Sequence, residues 1–278
     1  MSSTPPPNPN KALWEKGDFT RIAATMRESG EALVEELGIG PSEQVLDLGC
    51  GDGTTALPAA RRGAQVLGVD IAGNLVAAGQ RRAQEAGLAD RLQFQEGDAS
   101  RLEGLENDRF DRVVSIFGAM FAPRPGDVAR EMVRVTKPGG QVHMGNWIPN
   151  DPTLVAQILR ISAAYSPPPP EGFVSPMTWG VESHIVERFG AAGVAREDIE
   201  LQRRTYTFRH PGSPSSFLDL FREYYGPTMN AFAAAGQQGR SEDLQRELQA
   251  LFEAQNTSGD AQQTVIPATF LLVTVRVR

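Results

Sequence analysis

Residues 45 to 53 read Val45-Leu46-Asp47-Leu48-Gly49-Cys50-Gly51-Asp52-Gly53, and this run decides the fold. An apolar strand, Gln44 to Leu48, gives way to a loop with glycine at every second position, and a helix is expected from near Thr54. Alternating glycines admit positive φ and remove the side chains that hold a ligand away from the main chain. The loop therefore offers amide N–H groups beside a helix N-terminus, an arrangement suited to a carboxylate or phosphate. Asp47, at the end of the strand, supplies an acid for an ammonium group. An amino acid carries both charges, so the loop suits a cofactor with an aminoacyl arm.

Two further strands end in acids. Val66-Leu67-Gly68-Val69-Asp70 is one; Arg91-Leu92-Gln93-Phe94-Gln95-Glu96-Gly97-Asp98, followed by Ala99, is the other. Acids at the ends of three successive strands line one edge of a parallel sheet, which is where α/β folds bind ligands. Asp70 stands where a ribose diol is gripped, and Asp98 can accept from an adenine exocyclic amine. Gly51-Asp52-Gly53-Thr54-Thr55-Ala56 also fits the looser dinucleotide fingerprint. Charge separates the two readings. This much negative charge serves a pyrophosphate poorly and a sulfonium well, which favours S-adenosylmethionine over a nicotinamide or flavin dinucleotide.

Val45 to Gly53, Val69-Asp70-Ile71, Gly97-Asp98-Ala99, Phe110-Asp111-Arg112-Val113-Val114-Ser115 and Glu131-Met132-Val133-Arg134-Val135-Thr136-Lys137-Pro138-Gly139-Gly140 follow one another in order. Together they resemble the class I S-adenosylmethionine-dependent methyltransferases, especially the bacterial small-molecule branch near the ubiquinone and menaquinone enzymes. The resemblance is strong over residues 40 to 147 and looser over Trp14 to Ala24 and at Trp179-Gly180. Ala72 departs from the Ser or Thr usual after the second acid, and Ser115 from the Asp or Asn that often ends strand four. The resemblance implies a Rossmann-like α/β fold: a seven-stranded, mostly parallel sheet with an antiparallel last strand between strands five and six, plus helical lid insertions. Carried over residue by residue, it implies a cofactor-binding set of Asp47, Gly49, Cys50, Gly51, Gly53, Asp70, Ile71, Asp98, Ala99 and Ser115.

The chain of 278 residues, 40% of them hydrophobic, is long enough for one enlarged domain. A net charge of −7 argues against a nucleic-acid partner. The single cysteine, Cys50, excludes internal disulfides and a thiolate-only metal site, and reads as a small buried filler between two glycines. No metal cluster stands out. No apolar run approaches the ~20 residues of a membrane span, so a soluble, cytoplasmic protein is expected.

Residues 1 to 11 are expected to be disordered, and residues 12 to 278 to form a single domain. Within it, 12–40 is a cap helix, with Asp18 capping a run to Leu37, and 41–147 is the cofactor-binding core. A helical connection spans 148–196, and a helical lid insertion spans 210–263 between strands six and seven. Helices are expected near 54–62, 73–87, 126–136, 152–165, 179–192 (capped by Thr178), 214–235 and 241–255. Strands are expected near 44–48, 65–70, 91–97, 110–117, 140–147, 199–208 and 264–277.

Methyl transfer from an activated sulfonium needs positioning before anything else, worth about 7–11 kcal/mol. A general base matters only when the acceptor must lose a proton. Of the three histidines, His210, after strand six, is the weak candidate for that role. Trp14, Phe19, Phe117, Phe121, Trp147, Phe221, Tyr224 and Tyr225 are the candidates for an apolar acceptor pocket. The expected activity is methylation of a nitrogen or oxygen of a small molecule. The alternatives are a carbon methyltransferase of a quinone or polyketide-like ring, and a non-catalytic S-adenosylmethionine-binding regulator or scaffold. A homodimer is left open.

Overall fold

The computed structural model describes Asn8 and residues 10 to 278. The disorder expected of residues 1 to 7 and 9 lies outside the described residues. Asn10 and Lys11, expected to be disordered as well, instead open a short helix, α1 (Asn10–Glu15).

One long cap helix was expected over residues 18 to 37, and two are found: α2 (Thr20–Ala24) and α3 (Arg27–Glu36). Asp18 does act at the start, its Oδ1 accepting the Thr20 N–H at 3.2 Å. The break falls at Thr25-Met26, where the Thr25 carbonyl accepts the Arg209 N–H at 2.8 Å. The pairing with a distant strand end takes the carbonyl that a continuing helix would use.

The core alternates as the resemblance implies: β1 (Gln44–Leu48), α4 (Ala56–Arg61), β2 (Gln65–Asp70), α5 (Gly73–Glu85), β3 (Leu92–Glu96), β4 (Phe110–Ile116), α6 (Pro125–Val135) and β5 (Thr136–Trp147). The Lys137-Pro138-Gly139-Gly140 turn appears as an irregularity inside β5. Phe110 pairs with Thr136 and Arg112 with Gln141, and Gly139 takes φ +83°. After α7 (Leu154–Ala163), the helix expected over 179–192 resolves into a 3₁₀ turn, Pro176–Gly180, and α8 (Glu182–Ala191). Ser175, rather than Thr178, caps the turn, its Oγ accepting the Met177 N–H at 3.3 Å.

Then come β6 (Ile199–His210), α9 (Pro214–Tyr224), α10 (Gly226–Gln237), α11 (Ser241–Gln255) and β7 (Thr264–Arg276). The single helix expected over 214–235 divides at Tyr225 because Pro227 enters the first turn of α10 without a backbone N–H to donate.

The seven strands form one sheet in the order β3-β2-β1-β4-β5-β7-β6. Strands β1 to β5 run parallel to one another. β7 is antiparallel to both β5 and β6, so β6 ends at the same sheet edge as the parallel strands. One large core surrounds β4, β5, β7 and β6, with the buried faces of α9 to α11 against it; a smaller one fills the space between β1, β2 and α4. This leaves the carboxyl ends of β1, β2, β3 and β4 and the middle of β6 bordering one cleft.

Candidate active site

The cleft has an empty volume of about 940 Å³, walled by the loops after β1, β2, β3 and β4, by α1, α2 and Met26, and by Tyr206 of β6. Of the expected cofactor set, Asp47, Gly49, Cys50, Gly51, Asp70, Ile71 and Ala99 line it. Of the expected acceptor set, Trp14, Phe19, Phe117 and Phe121 do.

Asp47 is 2% exposed, and its Oδ2 has no hydrogen-bond partner among the described residues. Burial, and then the Asp70 carboxylate, push its acid up to about 7 against the help of the Ala56 backbone N–H. A buried acid with an unmet oxygen at a cavity wall is built to receive a cation. Asp70 faces the same cleft, with Oδ2 accepting the Gly51 N–H at 2.8 Å and Oδ1 the Ala72 N–H at 2.9 Å. Burial pushes its acid up as well. Burial foremost, and then Asp70, Asp47 and Asp52, push the Cys50 thiol up. It stays protonated and is no nucleophile.

The glycine loop works differently from the expectation of free amides. Gly49 and Cys50 both donate to the Val69 carbonyl, at 2.7 and 3.1 Å, and Gly53 donates to the Cys50 carbonyl at 2.9 Å. Gly49, Gly51 and Gly53 all take positive φ, so the glycines serve the turn itself. Gly49 also lets the β4 loop close in: a Cβ on Gly118 would lie 2.2 Å from the Gly49 carbonyl oxygen. Gly53 packs away from the cleft, where an added Cβ would meet Leu57 at 2.4 Å and Phe94 at 2.8 Å.

The remaining expected residues stand off the wall. Asp98 lines a second recess, which shares Asn8 and Gly97 with the cleft; its Oδ1 accepts the Ser100 N–H and hydroxyl, at 2.8 and 2.7 Å, and its Oδ2 the Asn8 amide at 3.2 Å. Ser115 is buried, its Oγ accepting the Ala119 N–H at 3.0 Å. Trp147 lies behind Phe117, stacked on it at 3.7 Å, and Phe117 itself takes φ +61°, a strained conformation for a bulky side chain. Tyr225 contacts Trp14 and Phe19 from behind, at 6.0 and 6.2 Å, and Phe221 is packed among Phe217, Tyr225 and Phe252. Tyr224 is outside the cleft, under the Arg21 guanidinium at 5.9 Å. His210 is also outside it, stacked on Phe217 and within 3.0 Å of Ser216 Oγ. Burial pushes its imidazole down.

Several lining residues carried no local signal. Tyr206 sits mid-strand and Met26 at the helix break. Asn10 is placed by its amide, which donates to the Phe121 carbonyl. Asp52 is 1% exposed and paired to Arg27 at 2.8 Å and Arg82 at 3.3 Å. These two ion pairs fix the loop. Among the described residues there is no metal-holding cluster of His, Cys, Asp and Glu, and no helix is long and apolar enough to cross a membrane.

Residues 45–140 match the family described as a methyltransferase domain. The uncharacterized protein Rv1405c of Mycobacterium tuberculosis is 33% identical over 228 residues, covering 82% of this chain and 80% of that protein. Erythromycin 3″-O-methyltransferase of Saccharopolyspora erythraea is 34% identical over 145 residues, 51% of this chain and 46% of that enzyme. The crystal structure of YcgJ from Bacillus subtilis superposes with a TM-score of 0.58 at 19% identity, covering 90% of this chain and 99% of that one. The chain belongs to the class I S-adenosylmethionine-dependent methyltransferases. It is an enzyme, and its cofactor is S-adenosylmethionine.

Proposed function

We propose that the cleft binds S-adenosylmethionine with the ammonium at Asp47 and the ribose at Asp70, and presents its methyl group to a small molecule held by Trp14, Phe19, Phe117 and Phe121. The observation that carries this reading is the Asp47 carboxylate, buried at the cleft wall with an unmet oxygen. Bound there, the cofactor supplies a methyl group already activated by its sulfonium. The chain's own residues orient and enclose. Asp47 and Asp70 hold the charged and hydroxylated ends, and Ile71 and Ala99 offer apolar contact. The aromatic residues shed water and leave the acceptor little freedom, the contribution that positioning makes to such a displacement.

The acceptor atom in this reading is a nitrogen or oxygen. The likeness to erythromycin 3″-O-methyltransferase favours a hydroxyl oxygen. No histidine or lysine is among the described residues that line the cleft, which fits a reaction driven by placement. The aromatic lining of the cleft and the chain's net charge of −7 favour a small molecule over a nucleic acid. Carbon methylation of a quinone-like ring, in the manner of the ubiquinone and menaquinone branch, would use the same aromatic wall.

The test is calorimetry with S-adenosylhomocysteine, then a screen for its release over phenols, alcohols, amines and quinone-type rings. Micromolar binding, on the order of −8 kcal/mol, with turnover on a hydroxyl or amine is expected. Turnover only on ring carbon would move the assignment to the carbon enzymes. Binding with no turnover on any class would favour a non-catalytic regulator.

A further inference from the structure

An aminoacyl arm has two charged ends on one carbon, and the described residues lining the cleft hold a charged partner for only one of them, leaving the other to uncharged donors at the Thr54-Thr55 end of the loop. With the ammonium at Asp47, the carboxylate lies close by. The amides of Gly49, Cys50 and Gly53 are spent on backbone carbonyls, and that of Gly51 on Asp70. No lysine, arginine or histidine is among the described residues lining the cleft. A carboxylate taken out of water without a donor carries a large desolvation penalty.

A hydroxyl stands at the right place. Tyr206 lines the cleft from β6 while being only 1% exposed. Its ring is held edge-on by Phe117 at 5.1 Å and by Phe270 at 6.0 Å, so the phenol has little freedom to turn away. A Cβ on Gly30 would lie 3.1 Å from the Tyr206 hydroxyl oxygen and 2.6 Å from the Thr54 carbonyl oxygen. The hydroxyl is thereby placed at the Thr54 end of the glycine loop, and Gly30 supplies the room. Burial foremost, and then the Asp47 carboxylate, push the phenol up. The group therefore stays protonated at every working pH and can only donate toward an anion.

We infer that Tyr206 is the carboxylate-binding residue of the site, donating its hydroxyl to the aminoacyl arm whose ammonium faces Asp47. This rests on the cofactor placement proposed above. It also assigns β6, a strand outside the matched 45–140 segment, a direct part in cofactor selection. The site would then distinguish the intact cofactor from nucleosides lacking the arm.

The experiment is calorimetry on the wild-type protein and Tyr206→Phe with two probes: S-adenosylhomocysteine, and 5′-methylthioadenosine, which keeps the nucleoside and lacks the arm. The substitution is expected to weaken S-adenosylhomocysteine about tenfold to a hundredfold, the loss of one hydrogen bond to a charged group, and to leave methylthioadenosine unchanged. Unchanged affinity for S-adenosylhomocysteine would overturn the inference. Equal weakening of both probes would overturn it too, because Tyr206 would then act only through packing on Phe117. Ultraviolet difference spectra of the wild-type protein repeat the test without a substitution: a tyrosine band shift is expected with S-adenosylhomocysteine and not with methylthioadenosine, and identical spectra count against the role. A wild-type protein that binds neither probe refutes the cofactor placement itself. Binding of both, with a silent Tyr206→Phe, removes Tyr206 alone.

Discussion

Asp70 and Gly51 are joined across the mouth of the cleft: the Gly51 N–H donates to Asp70 Oδ2 at 2.8 Å, while Asp70 Oδ1 takes the Ala72 N–H at 2.9 Å. One carboxylate thus ties the glycine loop after β1 to the entry of α5. Each carboxylate oxygen has a second lone pair, so the same group can hold the loop and accept ribose hydroxyls.

Asp70→Ala should therefore show two losses. S-adenosylhomocysteine affinity is expected to fall by about 1.5–3 kcal/mol, because hydrogen bonds to a charged group are removed. The melting temperature should fall as well, since the buried Ala72 N–H and the part-buried Gly51 N–H lose their acceptor. Calorimetry and thermal melts read the two separately. An affinity equal to that of the wild-type protein would take Asp70 out of the binding site and leave it a structural staple.

Asp47 makes binding depend on pH. Its acid is pushed from 3.8 up to about 7 by burial first and Asp70 second. An acid raised in the folded chain contributes stability that is complete below the unfolded value of 3.8 and is lost as pH rises through about 7. The ligand-free protein should lose this contribution between those limits. The cofactor's ammonium needs the ionised form, so binding below about pH 7 must expel a proton. Affinity for S-adenosylhomocysteine is expected to drop about tenfold per pH unit on that side. Asp47→Asn should flatten the profile and weaken binding at pH 8. Titrations in buffers of different ionisation enthalpy count the proton, and zero release at pH 6 would contradict the assignment.

A second contact is purely steric. The loops after β1 and β4 meet as glycine on glycine, with a Gly118 Cβ only 2.2 Å from the Gly49 oxygen and a Gly49 Cβ 2.7 Å from the Gly118 Cα. Gly118→Ala is expected to cost about 1–3 kcal/mol of stability, the usual penalty of overpacking. It should also weaken S-adenosylhomocysteine by moving Gly49 and Cys50. Full stability together with full binding would mean that the two loops can separate freely.

These relationships mark where the sequence stops being readable. β1 and β2, with Asp47 and Asp70 at their carboxyl ends, and β4 follow from apolar runs and from the glycines that come after them, because that information is local. The helix over 241–255 was equally legible, since Leu244, Leu248 and Phe252 recur at helical spacing and all three are buried. The breaks at Thr25 and Tyr225 were not anticipated. The first is set by a hydrogen bond from Arg209, a partner that no periodicity reveals. The second coincides with Gly226-Pro227, a local break signal that the reading of one helix over 214–235 does not use. The engagement of the loop amides, the capture of Asp98 by Ser100 and Asn8, and the reach of Tyr206 into the cleft are all long-range or turn-level facts. Strand alternation shows only that Tyr206 is buried, not that it borders a cavity.

The aromatic residues divide into a wall and a support, and substitutions should separate them. Trp14 and Phe121 face the cleft, are half-buried and touch each other edge-on at 5.0 Å. Phe221 and Tyr225 lie behind them, 2% and 5% exposed. Phe221→Ala would open a hole among Phe217, Phe252 and Tyr225, and is expected to cost about 3–5 kcal/mol of stability. Its acceptor KM, measured well below the melting temperature, should move little. Trp14→Ala exposes the cleft instead. It should raise the acceptor KM or lower kcat/KM by about tenfold, the scale of one lost aromatic contact, with a smaller change in melting temperature. The N-terminal segment carrying Trp14 is pinned by the Glu15 carboxylate on the Gly73 N–H at 3.1 Å and by the Gly17 carbonyl, which accepts the Asn74 amide at 3.3 Å. Hydrogen exchange over residues 10 to 24 should therefore slow when S-adenosylhomocysteine binds. If Phe221→Ala instead raises KM at full stability while Trp14→Ala leaves KM untouched, the acceptor enters under α9 and not under α1.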